Sequence, residues 1–248
     1  MKKINILLVI SVIIGAFMLS GCEKSEPSLN YLAVQLSKDD SWSIIDKDGN
    51  VVVKEEYPAD SKISWIVDGA YWVKTGEKFQ LFNIENPKKP VIEEEFSSVT
   101  TFCSGVAAVS NPNEQIRIID TKGKTVATLG THIKRCGGFS KEGYAIYLNQ
   151  DNLCGIINRK GNEIITATYS DIMSWDDGLI VARKSAEDRD LVIINIESNK
   201  TLGEINTEKY DIMTSPLSEG MLVVRDADED DRPCIVLDKT GKKLFGDR

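Results

Sequence analysis

Histidine is almost absent from this chain of 248 residues: His132 is the only one. A single imidazole cannot build a histidine metal site, and a Ser-His-Asp arrangement would have to recruit that one ring. Cysteine offers no ligand pattern either. Beyond Cys22 stand Cys103, Cys136, Cys154 and Cys234, with no CxxC spacing, and they read as small hydrophobes rather than as a zinc site. No GxSxG elbow occurs. Acids abound, but no spacing nominates two of them for glycoside hydrolysis. Proline is scarce, at seven residues. Positive charge is in deficit, with 30 Lys and Arg against 38 Asp and Glu. A body of that sign repels phosphate backbones, which excludes nucleic acid as a partner. With no catalytic constellation visible, the chain is expected not to be an enzyme.

Apolar residues concentrate at the start. Lys2 and Lys3 precede an uncharged apolar run from Ile4 to Leu19, and Leu19–Cys22 reads LSGC. The run is short of the ~20 residues a spanning helix needs. A basic segment, a short apolar segment and small residues before a cut form a processed signal. The cysteine at the junction makes it resemble a bacterial lipoprotein signal. That resemblance implies that residues 1–21 are removed, that Cys22 carries palmitate-type acyl chains, and that residues 22–30, beginning CEKSEPS, tether the rest to the cell envelope. Glu23 rather than Asp follows the cysteine, which by the same resemblance points to the outer membrane. Without residues 1–21, which hold two lysines and no acid, the net charge is about −10.

The remainder is periodic. A glycine-led apolar strand recurs as GAYWVK (69–74), GVAAVS (105–110), GYAIYL (143–148), GLIVAR (178–183) and GMLVVR (220–225), with YLAVQL (31–36) as a copy lacking glycine. A second strand follows each: SWSIID (41–46), FQLFNI (79–84), QIRIID (115–120), LCGIIN (153–158), LVIINI (191–196) and PCIVLD (233–238). Their starts lie 38, 36, 38, 38 and 42 residues apart. Turns of the form Asp/Asn-x-x-Gly follow at Asp46–Gly49, Asp120–Gly123, Asn158–Gly161 and Asp238–Gly241, which fold a third strand back antiparallel. Third strands are expected at VVVKEEY (51–57), PVIEEEF (90–96), TVATLG (125–130) and EIITATY (163–169). Weaker fourth strands are expected at KISWI (62–66), SVTTF (98–102), HIKRC (132–136), DIMSW (171–175) and DIMTS (211–215).

This order is similar to the WG-repeat family, best in Cys154–Lys184, although no Trp-Gly pair is intact: Trp42 precedes Ser43, and Cys154 precedes Gly155. Six four-stranded units cannot bury their faces alone and must stack. The expectation is all-β, a six-bladed β-propeller over residues 31–248. The glycine-led strand, the most apolar, is placed innermost, with the first blade starting at Tyr31. The third strand, carrying Lys54, Glu55, Glu56 and Glu93–Glu95, is placed toward the edge. On this phase the last unit runs out after Lys242–Phe245 without a fourth strand.

The sharpest local anomaly is DADEDD, 226–231, whose Asp226, Asp228, Asp230 and Asp231 are candidate Ca²⁺ ligands or a solvated loop. A weaker analogue is SAEDRD, 185–190, and both loops should leave the ring on one side as an acidic patch for a cation or a basic partner. His132 is expected on a strand in a structural role. Trp42, Trp65, Trp72 and Trp175 lie in or beside strands, with Trp72 and Trp175 expected between blades. The functional expectation is an envelope-anchored scaffold for a protein or peptide partner. The alternatives are a glycan or small-ligand site in the propeller mouth and, third, a hydrolase.

Overall fold

In the computed structural model, residues 30–176, 178–187, 190–218, 220–226 and 234–246 are described. Every element among them is a β-strand, and the strands form six antiparallel sheets. Blade 1 holds β1 (Tyr31–Val34), β2 (Trp42–Asp46) and β3 (Val51–Tyr57); blade 2 holds β4 (Lys62–Ile63), β5 (Ala70–Thr75) and β6 (Lys78–Asn83). Blade 3 runs β7 (Ser98–Val99), β8 (Val106–Ser110), β9 (Arg117–Asp120) and β10 (Thr125–Thr128). Blade 4 runs β11 (Ile133–Phe139), β12 (Tyr144–Asn149), β13 (Cys154–Asn158) and β14 (Glu163–Tyr169). Blade 5 runs β15 (Asp171–Asp176), β16 (Leu179–Arg183), β17 (Leu191–Asn195) and β18 (Lys200–Ile205). Blade 6 runs β19 (Tyr210–Ser218), β20 (Met221–Asp226), β21 (Cys234–Asp238) and β22 (Lys243–Phe245). The architecture is a six-bladed β-propeller.

The blades differ in phase from the sequence expectation. The weak strand expected to end one unit instead opens the next blade, and the glycine-led strand lies second, paired on both sides. The reason is the glycine itself. Cys103 pairs with Val106 across Ser104 (φ 52°) and Gly105 (φ 78°), and Val67 pairs with Ala70 across Asp68 (φ 51°) and Gly69 (φ 76°). Two successive positive-φ residues are a type I′ hairpin, the tightest antiparallel connection. The glycine therefore joins the weak strand to the apolar one within a single sheet. Blade 6 is consequently complete, and blade 1 is the one with no strand ahead of its β1 among the described residues. β15 and β19, the opening strands of the last two blades, lie beside each other, which places the opening strand at the inner edge of the wheel. The third strands do take the outer edge, as β3, β10, β14, β18 and β22.

The Asp/Asn-x-x-Gly turns form as expected. The Oδ1 of Asp46, Asp120 and Asp238 each accepts two backbone amides, from residues two and four positions on, at 2.8–3.0 Å. Hydrogen bonds from the side chains of Asn50 and Thr240 are the main reason the carboxyls of Asp46 and Asp238 sit below the usual range. PVIEEEF does not form a regular strand. Pro90 has no amide to donate, and of strand-to-strand backbone pairing the segment keeps the Val91 amide on Leu81 O and the Phe79–Phe96 bridge.

The core lies between blades. One cluster joins blades 1 and 2 through Ile44, Val53, Tyr71 and Val73, and another joins blades 2 and 3 through Trp72, Leu81, Phe102 and Ile119. Blades 3 and 4 meet at Ile118, Leu129, Tyr147 and Ile157; blades 4 and 5 at Ile156, Ile165, Ile180 and Val192; blades 5 and 6 at Val181, Ile193, Leu222 and Leu237. A middle blade is therefore buried on both faces: Ala70–Val73, Val106–Val109 and Leu179–Ala182 are buried at every position. The end blades are not. In blade 6, Leu222 and Val224 are buried while Met221 is exposed, and in blade 1 no residue of β1 is buried. Among the described residues no buried cluster joins blade 6 to blade 1.

Candidate functional site

The densest chemistry lies in blade 4. The Tyr147 ring on β12 crosses β13 at Gly155, the strand position where a side chain is missing. A Cβ there would meet Tyr147 Cε1 and Ile165 O at 2.6 Å and Ala167 N at 2.7 Å. The β13–β14 ladder shifts register between Cys154 and Ile156, and the Tyr147 hydroxyl accepts the Ala167 amide at 3.0 Å. That hydroxyl donates in turn to Glu163 Oε2, and His132 Nε2 lies 2.8 Å from Glu163 Oε1. Burial, and then the Glu163 contact, hold the Tyr147 phenol protonated well beyond its ordinary range. Both oxygens of Glu163 are thus engaged, and the group braces the edge strand β14 rather than offering a poised base. His132 sits in the turn before β11 rather than on the strand, because the Ile133 amide closes that turn on Gly130 O.

The other sequence candidates fall as follows. Cys22, Asp228, Asp230 and Asp231 lie outside the described residues. Asp226 is not a loop residue: it ends β20, paired with Tyr210. Among the described residues no three His, Cys, Asp or Glu side chains gather as a metal set. Cys103 and Cys154 are buried, Cys136 is half-buried and Cys234 is exposed. Cys234 thus departs from the small-hydrophobe reading, because it opens β21 on the uncovered side of blade 6. Burial pushes the Cys136 thiol up to about 12. Trp72 is buried between blades 2 and 3, stacked on Phe102 at 5.4 Å, with its Nε1 donating to Thr100 O at 3.0 Å. Trp42 is half-buried against the blade 1–2 cluster, and Trp65 is exposed in the β4–β5 connection. Trp175 is paired in β15 with Ile180.

The repeated antiparallel order sends equivalent loops to the same side of the wheel. The loops after β1, β5, β8, β12 and β16 share one side with the connections between blades. Direct contacts tie these segments together: Lys78 Nζ donates to Asn111 Oδ1 at 3.4 Å, Gln150 Nε2 to Thr131 O at 3.0 Å, and the Thr207 amide to Asp190 Oδ1 at 3.3 Å. This side exposes Asp39, Asp40, Glu77, Glu114, Asp151 and Glu187. The opposite side carries the Asp/Asn-x-x-Gly turns, whose leading Asp46, Asp120 and Asp238 are spent on backbone amides; Lys47, Lys122, Arg159, Lys160 and Lys239 stand exposed there, beside a smaller number of exposed acids that includes Asp48, Glu142 and Glu197. Exposed acids therefore outnumber exposed bases on the loop face, while exposed bases outnumber acids on the turn face. Sequence reading found the loops after β16 and β20 but not the series across the other blades, because each of those loops contributes only one or two acids.

Against known proteins, residues 155–185 match the family model described as WG containing repeat. This chain carries a WG repeat. The matched segment of the WG repeat runs from Gly155 of β13 to just past β16, so it straddles the blade 4–5 interface. Its first residue is the glycine that Tyr147 crosses. No curated protein matches the chain. Among solved structures it is similar to the computationally designed Ika8 protein, at 14% identity and TM-score 0.50, covering 88% of this chain and 71% of that one. It is also similar to Hsv2 of Kluyveromyces lactis with loop 6CD replaced by a Gly-Ser linker, at 16% identity and TM-score 0.51, covering 84% and 76%. A further similar structure is BamB from Moraxella catarrhalis, at 11% identity and TM-score 0.47, covering 90% and 74%. The likenesses to Ika8 and Hsv2 support the propeller fold of the chain that carries this repeat.

Proposed function

We propose that this protein is a lipid-anchored scaffold of the bacterial envelope that binds a protein or peptide partner and performs no chemistry of its own. Acyl chains on Cys22 hold it to the membrane, with Glu23 after the cysteine pointing to the outer one, and the partner presents a basic surface to the acidic loop face. The observation that carries this reading is the sorting of charge by loop position, with Asp39, Glu77, Glu114 and Asp151 exposed on one side and the turn lysines on the other. A field of one sign on a rigid face steers a partner of the other sign and selects against wrong ones. The Glu163 group does not compete as an active site, since Tyr147 and His132 already occupy its carboxylate.

The test is photo-cross-linking in native cells with a benzophenone amino acid at Glu114, and at Lys160 on the opposite side as control. A discrete adduct with one envelope protein at position 114 and none at 160 is expected. Equal, diffuse labelling from both positions overturns the face assignment. Labelled palmitate in the same cells should appear on the wild-type protein and vanish in Cys22→Ser.

A further inference from the structure

The outward face of blade 1 is apolar and exposed. Leu32 pairs with Ile45 and Ile45 with Val51, so these three share one face of the sheet. The other face, with Ala33, Ile44 and Val53, packs on blade 2. On the outward face Leu32 is 47% exposed, and Val51 and Val52 are 58% and 41% exposed. A shallow groove on this side is lined by Leu32, Ile45, Asp46, Lys47 and Gly49. Two residues past β1, in the loop that follows it, Leu36 is 93% exposed. A row of large aliphatic side chains on a terminal sheet marks a surface that is covered in use.

The short tether identifies what covers it. Eight residue steps separate Cys22 from Asn30, which precedes β1. Fully extended, they reach at most ~28 Å, so an acylated Cys22 keeps blade 1 beside the bilayer whatever path the tether takes. Blade 6 fits less well as the cover. Leu36 stands in a loop, off the sheet face that a neighbouring blade would bury, and in the corresponding loops Gly76, Asn113 and Asp151 are polar or small.

We propose that the outward face of blade 1, with Leu36 at its tip, is a membrane-seating surface that rests in the headgroup region of the bilayer holding the anchor. The seating is shallow, because Asp39 and Asp40 follow Leu36 and stay in water. It adds apolar burial to the acyl chains and fixes the direction in which the acidic loop face points. This inference rests on acylation of Cys22 as read under the proposed function.

The test uses the full lipidated protein, reconstituted in vesicles of phosphatidylethanolamine and phosphatidylglycerol, with a benzophenone amino acid at Leu36, Val52 or Leu244. Leu244, in β22, is the control, an exposed leucine at the other end of the blade series. Lipid adducts found by mass spectrometry at 36 and 52, and absent at 244, are the expected result. An intramolecular adduct from 52 to blade 6 would show that the wheel closes on itself, and a chain-to-chain adduct would show a second copy on this face; either overturns the proposal. Absence of lipid adducts with Cys22 acylated overturns it alone, whereas an unacylated Cys22 in the same sample overturns the anchor reading beneath it.

Discussion

Replacing Gly155 by alanine separates two opposed expectations. Gly155 lies within β13 and is not in the positive-φ region, so on propensity alone alanine should stabilise the strand by about 0.5–1 kcal/mol. The packing says the reverse. The new Cβ would stand 2.6 Å from Ile165 O and Tyr147 Cε1 and 2.7 Å from Ala167 N, and two of those three are backbone atoms of the paired strand. Overpacking of this kind costs about 1–3 kcal/mol. Pushing the ring aside also takes its hydroxyl from the Ala167 amide, worth about 1 kcal/mol more. The expected net loss is about 2 kcal/mol, and in a domain of this size that lowers the thermal midpoint by roughly 4–8 °C. Circular dichroism melts of the wild type and Gly155→Ala read it directly. Gly138→Ala is the control, because its Cβ meets nothing within 4 Å and its φ is not positive; its midpoint should stay within about 2 °C of wild type. A Gly155→Ala protein that melts with or above the wild type refutes the crossing of β13 by Tyr147.

Tyr147→Phe keeps the ring but strips the Ala167 amide and Glu163 of their partner, and should cost about 1–3 kcal/mol in urea unfolding; an unchanged midpoint contradicts the brace. Among the four cysteines past Cys22, Cys234 should react with a thiol reagent in the folded protein at pH 8, and Cys103, Cys136 and Cys154 only on unfolding, because only Cys234 is exposed. Rapid titration of more than one of these thiols would contradict the burial. Stability should also fall as pH rises from about 9 toward 12. The Cys136 thiol and the Tyr71 phenol, raised to about 12 by burial in the fold, ionise earlier in the unfolded chain, so the unfolded state binds fewer protons across that window. Unfolding free energy that is flat from pH 9 to 11 would count against both burials.

Much of the fold was legible because it rests on local chemistry. The Asp/Asn-x-x-Gly turns are set by a side-chain oxygen and a positive-φ glycine, both visible in four letters, and Lys54 and Glu56 mark an outer strand. The blade phase was misassigned although its signal was present. Asp68-Gly69 and Ser104-Gly105 are two-residue hairpin signatures, and reading those glycines as the start of a strand rather than the close of a turn moved every blade boundary by one strand. Blade 2 lost its outer strand to Pro90, which a pattern of apolar and acidic residues does not weigh. The Tyr147–Gly155–Glu163–His132 group was not legible at all. Its members come from three strands and a turn, and only the shifted register of β13 against β14 brings the Tyr147 hydroxyl to the Ala167 amide. The exposed aliphatics of blade 1 were hidden for a different reason: in sequence, Leu32 and Val52 look like core residues, and only the structure shows them exposed.

The measurement that bears most directly on the proposed function is the affinity of the cross-linked partner for the wild-type protein and for a variant carrying Asp39→Lys, Glu77→Lys, Glu114→Lys and Asp151→Lys, each at low and high salt. All four positions are exposed, so the fold should survive the changes. Binding that weakens at least about tenfold at low salt, with a shallower salt dependence in the variant, is the expected result. Equal affinity and equal salt dependence for the two proteins would contradict a partner docked on the acidic face.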